Sequence, residues 1–249
     1  MRLAGAGAAV AMAARTADEL ATTADAVTAA GGRSLPFAID VSDGDAVRKM
    51  VTDVGRRLGP VDVLVANAAV VSPLGPAWET DPGEWWRTLE INLRGVFLCA
   101  HAVLPAMTTR TRGRIVNVVS QAGIYAGPFG SAYSTSKAAV IRLSEVLALE
   151  AGPHGVSVFA MEPGWMTTAM TDYLVNSDAG QRWIPRAAEY GRRAHVPIQR
   201  SADLVLELAS GRADALSGRY LTVFDDLDAL VSRAEQIRED DLHVMRLRT

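Results

Sequence analysis

Short, uninterrupted apolar runs that alternate with longer stretches of helical period constrain this chain more than any other feature of it. The runs Ala8–Ala13, Ser34–Ile39, Val61–Ala66, Arg114–Val119, Val156–Glu162 and Tyr220–Val223 read as buried strands. Thr16 with Glu19 forms a capping box that opens a helix ending near Gly31, Ser42 can cap a helix running to about Leu58, and Gly59-Pro60 punctuates before the third run. Asp81-Pro82 opens a long apolar-striped helix to about Met107, and further helices are expected at Ala132–Glu150 and Ser201–Ser210. Strands apolar on both faces, joined by helical crossovers, make a parallel sheet covered on both sides, because parallel neighbours cannot be joined by a tight turn. The fold class is α/β, a doubly wound parallel sheet.

A chain of 249 residues, half of them apolar, can bury one large core, so residues 1–249 are expected to form a single domain. Within it, the less regular stretch 167–200, flanked or occupied by Trp165, Tyr173, Trp183 and Tyr190, is the expected substrate lid. Residues 225–249 form a charged extension, helical in its first part. With 25 Lys and Arg against 28 Asp and Glu, the basic excess that draws proteins onto phosphate backbones is missing, and no nucleic-acid partner is expected. Cys99 is the only cysteine, so no internal disulfide and no cysteine zinc cluster can form, and a reducing cytoplasm is the expected setting. His101, His154, His195 and His243 lack metal-ligand spacing, so no metal is expected. No apolar run reaches the roughly 18 residues of a membrane span, no membrane partner is expected, and the Ala-rich start MRLAGAGAAVAMAAR is read as part of the fold.

The chemistry is carried by Tyr133-Ser134-Thr135-Ser136-Lys137. An i, i+4 pair at a helix start puts phenol and ammonium on one face, where the cation favours the phenolate and moves the tyrosine towards a working general acid or base. Ser120 follows the strand Arg114–Val119, and the carboxyl ends of strands line the ligand crevice of an open α/β sheet. A hydroxyl there can donate to a substrate oxygen.

In this order and spacing the residues resemble the short-chain dehydrogenases/reductases, a family of Rossmann-type fold, and the resemblance runs over nearly the whole chain. It implies that Tyr133 exchanges a proton with the substrate oxygen, Ser120 orients that oxygen, and Lys137 binds the nicotinamide ribose and lowers the Tyr133 pKa. Asn92, in Ile91-Asn92-Leu93-Arg94-Gly95, matches the family's helix asparagine that holds a proton-relay water. Asp40-Val41 matches its adenine-contacting pair, and Pro163-Gly164 through Thr168 its PGxxxT segment at the nicotinamide amide. Asn67, Ala68 and Ala69 stand at the family's NNAG position, where Ala66-Asn67-Ala68-Ala69 lacks the first asparagine and the final glycine; the two methyls are expected to tune cofactor affinity. NAD-binding members place an acid at the end of the second strand; here Ala14-Arg15 stands instead, and the planar fork of Arg15 suits a 2'-phosphate. The expected cofactor is NADP(H) in preference to NAD(H). The expected activity is hydride transfer between nicotinamide and a small-molecule carbonyl or alcohol, made apolar by Trp165, Tyr173, Trp183 and Tyr125. The helices Asp81–Met107 and Ala132–Glu150 correspond to those that pack subunits in the family, which implies a homodimer or homotetramer.

A dinucleotide fold opens with a strand, a glycine-rich turn and a helix N-terminus that accept the pyrophosphate, and nothing before Arg15 has that pattern. Gly5-Ala6-Gly7 leads into a strand and resembles the turn after the family's first helix. The expectation is therefore that the central first strand is missing from the sequence as written and that Met1 is an internal start. Without that strand its two neighbours carry open edges, each buried unpaired group costing about 1–3 kcal/mol against a total stability of roughly 5–15 kcal/mol. The alternatives are a truncated non-catalytic member acting as an oligomerising or binding protein, and a lyase or epimerase on the same scaffold.

Overall fold

Continuous apolar strands must be covered on both faces, and in the computed structural model, which describes residues 1–247, they are. The elements run α1 (Arg2–Gly5), β1 (Ala9–Ala14), α2 (Ala17–Ala29), β2 (Arg33–Ala38), α3 (Gly44–Arg57), β3 (Val63–Ala66), α4 (Pro82–Leu89), α5 (Gly95–Thr109), β4 (Gly113–Val118), α6 (Ser131–Ala151) and β5 (Val156–Glu162). They continue with α7 (Ala169–Asn176), α8 (Asp178–Trp183), α9 (Ala187–Ala194), α10 (Ile198–Ser210), β6 (Tyr220–Thr222), α11 (Leu227–Ser232) and α12 (Ala234–Glu239). Residues 248 and 249 of the expected C-terminal extension lie outside the described residues.

Every strand pair is parallel, but the strands form two sheets: β1–β2, and β3–β4–β5–β6. β1 and β3 each keep one edge with no strand on it among the described residues. β5 is buried along its whole length, with Val158 and Phe159 fully enclosed. On one side the four-stranded sheet packs Val116 and Phe159 against Leu208 and Ile237 of α10 and α12. On the other, Ile115 and Val158 meet Val103 and Met107 of α5 and Leu147 of α6.

Several local expectations change. Asp43, and not Ser42, caps α3, its carboxylate accepting from the Asp45 and Ala46 amides, because the Ser42 hydroxyl donates to Asp40 Oδ1 at 2.7 Å. Thr16 precedes α2 in extended conformation, but its hydroxyl makes no capping bond, so the capping box does not form. The lid stretch is three short helices, the first opened by a capping box between Thr168 and Thr171. The long helix expected from Asp81-Pro82 is interrupted by a π-helical turn at Glu90–Arg94. The whole helical stretch Pro82–Thr109 is, contrary to the expectation from run length, long and apolar enough by length and composition to cross a bilayer. Burial of Val96, Val103 and Met107 against the sheet accounts for that composition.

Candidate active site

Parallel strands end on one edge, and the register here aligns those ends: Ala66 lies opposite Asn117, Val118 opposite Met161, and Glu162 opposite Thr222. The segments beyond β3, β4 and β5 therefore bring Asn67–Ala69, Ser120 and Pro163-Gly164 to one side of the molecule. Beyond β1 and β2, Arg15 and Asp40-Val41 emerge on the edge of the smaller sheet, where Ile39 N–H donates to Ala14 O.

Ser120 caps a short 3-10 turn, its hydroxyl accepting from the Ala122 amide at 3.2 Å. That turn rests directly on α6: a Cβ built on Gly123 would lie 2.8 Å from the Ala138 nitrogen and from the Lys137 carbonyl carbon. Only glycine permits this approach, which sets Ser120 beside Tyr133 in the first turn of α6. Lys137 is 2% exposed, lies 5.7 Å from the centre of the Tyr133 ring, and donates to Val118 O at 2.8 Å. An ammonium has three donors, and the other two have no partner among the described residues.

The electrostatics reverse one expectation. Burial pushes the Tyr133 phenol above its ordinary range, the Ser120 hydroxyl pulls the other way, and the negative charge of Glu162 adds to the rise. Lys137, itself lowered to about 8 by burial, is not what sets the Tyr133 pKa here, because loss of hydration around a buried phenolate outweighs it. Tyr133 is accordingly a protonated phenol at neutral pH.

Asn92 sits in the π-helical turn with no exposed surface. Its Oδ1 accepts from Val70 N–H at 2.8 Å, while Nδ2 donates to Val70 O at 2.8 Å and to Ser136 Oγ at 3.0 Å. Ser136 in turn donates to the Tyr133 carbonyl at 2.7 Å. One carboxamide thus ties the loop after β3 to the helix that carries Tyr133 and Lys137, with both its N–H donors spent.

Asp40 is engaged more heavily than its sequence position foretells. It accepts from the Ser42 amide and hydroxyl and forms an ion pair with Arg87, which also donates to Glu90 at 3.0 Å. Burial works against the Asp40 carboxylate, but the Ser42 and Arg87 contacts win and hold its pKa down. Val41 packs against Gly95, where an added Cβ would come within 2.8 Å of Val41 Cγ2. Arg15 is exposed and has no ion pair among the described residues. Asn67 and Ala68 are exposed, and Ala69 lines a cavity of about 230 Å3 with Val70, Met170 and Tyr173. Gly164 has φ +76 and faces Val196 closely, while the Thr168 hydroxyl is occupied in the cap of α7.

Two residues escaped the sequence reading. Arg87 reaches Asp40 across 47 positions, and no local pattern signals such a contact. Glu162, 6% exposed, follows the buried strand β5; its Oε1 accepts from Gly164 N–H at 3.0 Å while Oε2 is buried without a partner. A carboxylate ending an otherwise apolar strand just before Pro163-Gly164 was the available signal.

The residues fit a nicotinamide dinucleotide at its two ends. Lys137 has unspent buried donors for a ribose, Pro163-Gly164 lies at the adjacent strand end, and Arg15 offers a free guanidinium. Among the described residues no glycine-rich turn leads into a helix N-terminus for the pyrophosphate, and no group of three His, Cys, Asp or Glu side chains is placed to hold a metal.

A strand-end site of this kind, on a parallel sheet covered by helices, is the ligand site of an open α/β enzyme. A family model described as short chain dehydrogenase matches residues 1–179. The chain is 34% identical to a short chain dehydrogenase of Pseudocercospora fijiensis (strain CIRAD86), over 98% of this chain and 82% of that one. It is 30% identical to gluconate 5-dehydrogenase of Gluconobacter oxydans (strain 621H), over 87% and 84%. Among solved structures, an NAD+-bound xylitol dehydrogenase superposes with a TM-score of 0.79 at 29% identity, covering 89% of this chain and 90% of that one. Gluconate 5-dehydrogenase from Burkholderia cenocepacia J2315, in complex with NADP and tartrate, gives 0.78 at 28%, covering 92% and 88%. The chain belongs to the short-chain dehydrogenase/reductase family, and its class of activity is NAD(P)-dependent oxidation and reduction. Nothing in these likenesses favours the non-catalytic alternative.

Proposed function

We propose that this enzyme prefers NADP(H) and interconverts a small or medium apolar carbonyl compound and its alcohol, with Tyr133 as general acid and base. The observation that carries the reading is the meeting of Ser120, Tyr133 and Lys137 where β4 ends, with Tyr133 held protonated by burial. The nicotinamide, when bound, gives or takes the hydride. In reduction the substrate oxygen accepts hydrogen bonds from Ser120 and Tyr133. As a C–H bond forms at the carbonyl carbon, the C=O π pair moves onto oxygen and takes the Tyr133 proton, leaving an alcohol and a phenolate. The Lys137 ammonium, 5.7 Å from the ring, stabilises that phenolate, and in oxidation the proton returns by the same route. Asn92 holds the loop after β3 and helix α6 in register around this exchange.

The preference for NADP(H) rests on Arg15, since similar structures hold either NAD+ or NADP. The apolar substrate rests on the cavity beside Met170 and Tyr173. Assembly through α4–α5 and α6 is supported by Phe97, Val146 and Leu149, apolar side chains exposed on those helices, and a cytoplasmic setting by the single buried thiol.

The test is NADPH and NADH titration together with NADPH oxidation over a panel of apolar ketones. Tyr133→Phe is expected to lower turnover by about 100-fold or more while NADPH still binds. Arg15→Ala is expected to weaken NADPH by about 10-fold or more and to leave NADH unchanged. Full turnover by Tyr133→Phe would sink the proton-transfer assignment, and equal losses for both cofactors the assignment of Arg15.

A further inference from the structure

Arg15 and Asp40 leave neighbouring parallel strands side by side. Ala14 is paired with Ala38 at the end of the smaller sheet, and Ile39 N–H donates to Ala14 O at 2.9 Å. Arg15 and Asp40 thus emerge from strands about 4.8 Å apart, and both line one cleft. A carboxylate so placed is a ready partner for the Arg15 guanidinium, yet it is taken from the other side, by Arg87 of α4. Asp40 Oδ2 pairs with Arg87, while Oδ1 accepts from the Ser42 amide at 2.9 Å and from the Ser42 hydroxyl at 2.7 Å. That hydroxyl in turn accepts from Arg87 Nη1 at 2.8 Å, and Arg94 Nη1 donates to Ser42 O at 2.6 Å. Glu90 braces Arg87 from its own helix side at 3.0 Å. The turn after β2 is therefore clamped by arginines from another element. The Arg87 and Asp40 side chains remain 43% and 31% exposed, so the field of an unneutralised Asp40 would reach ligand groups bound beside it.

We propose that Arg87 is a positioning residue that sets cofactor choice: by neutralising and holding Asp40 it keeps Arg15 free, and so lets the adenosine end accept a 2'-phosphate. This rests on the reading that Arg15 meets that phosphate. Without Arg87, the Asp40 carboxylate acts against NADP(H) in two ways. It pairs with Arg15, and it repels a phosphate that carries about 1.5 to 2 negative charges. Neither effect disfavours NAD(H), whose 2'-hydroxyl is uncharged and donates readily to a carboxylate. Arg87 therefore acts on the ratio of the two affinities, whereas simple loss of the clamp on the turn would weaken both alike.

The test measures the dissociation constants of NADPH and NADH by fluorescence titration for the full chain and its variants. Arg87→Met is expected to lower the preference for NADPH over NADH by about fivefold or more. Arg87→Lys should keep most of the preference, and Asp40→Asn added to Arg87→Met should restore it. The loss in Arg87→Met should shrink as salt rises from about 20 mM to about 0.5 M, a dependence that a purely structural defect would not show. Asp40→Asn alone leaves Arg87 beside the phosphate with Glu90 as its one carboxylate partner and is expected to raise the preference. That arm decides the matter if Arg87→Met does not fold. An unmoved ratio in Asp40→Asn and in folded Arg87→Met overturns the proposal, as does a loss in Arg87→Met that Asp40→Asn fails to restore. Arg15→Ala separates this outcome from failure of the underlying reading. If it weakens NADPH alone while Arg87→Met leaves the ratio unmoved, only the role of Arg87 falls. If it weakens both cofactors equally, or if the wild type binds neither, both readings fall together.

Discussion

Burial and the charge of Glu162 hold the Tyr133 phenol up against the opposing pull of the Ser120 hydroxyl. Glu162's charge helps hold the Tyr133 phenol up, so Glu162→Gln should lower the Tyr133 pKa and move the alkaline limb of the reduction profile to lower pH. An unmoved limb with an intact fold would remove Glu162 from the account. Lys137 titrates near 8 in the folded chain against an ordinary value of 10.5. Its ammonium is therefore present at pH 7 and largely gone at pH 9, so NADPH affinity should fall across that interval in the wild type and change less in Lys137→Met. The stability sign is opposite. Between about 8 and 10.5 the unfolded chain binds the extra proton, so this group's contribution to stability grows as pH rises. The pairing of Tyr133 with Lys137 was legible in the sequence because i, i+4 spacing is local. The direction of the Tyr133 shift was not, since it depends on burial by distant elements and on Glu162, 29 positions further along.

At the scale of elements, the strands, the main crossover helices and the strand-end placement of Ser120 were readable, because apolar period and capping chemistry are local signals. The π-helical turn was not. Its wider hydrogen bonding has no residue signature, and it becomes visible only because Asn92 must reach both Val70 and Ser136. Ser42 failed as a cap for a similar reason, its hydroxyl being taken by Asp40, which Arg87 holds from another helix. The contact between the Gly123 turn and α6 gives a prediction at this scale. Gly123→Ala puts a methyl 2.8 Å from backbone that cannot move far, and should cost about 1–3 kcal/mol, measured by urea unfolding, with a larger loss of turnover than of NADPH binding. Turnover and stability both equal to wild type would mean that the turn does not position Ser120.

Across the whole molecule, stability is unevenly shared. β4 and β5 lie inside two apolar clusters, whereas β1–β2 is a two-stranded sheet whose residues are mostly half-buried or exposed. Hydrogen exchange should therefore show β1 and β2 opening well below the free energy that opens β5, and urea should unfold the chain in two steps; a single transition with uniform protection would contradict this. The division of the sheet also separates the two ends of the site: Arg15 and Asp40 ride on the smaller piece, Ser120, Tyr133 and Lys137 on the larger. A dinucleotide touching both ends would then behave as a thermodynamic cross-link. Each piece would be ordered at the other's expense of freedom, and saturating cofactor would fuse two unfolding steps into one, so that cooperativity itself becomes a property of the bound state.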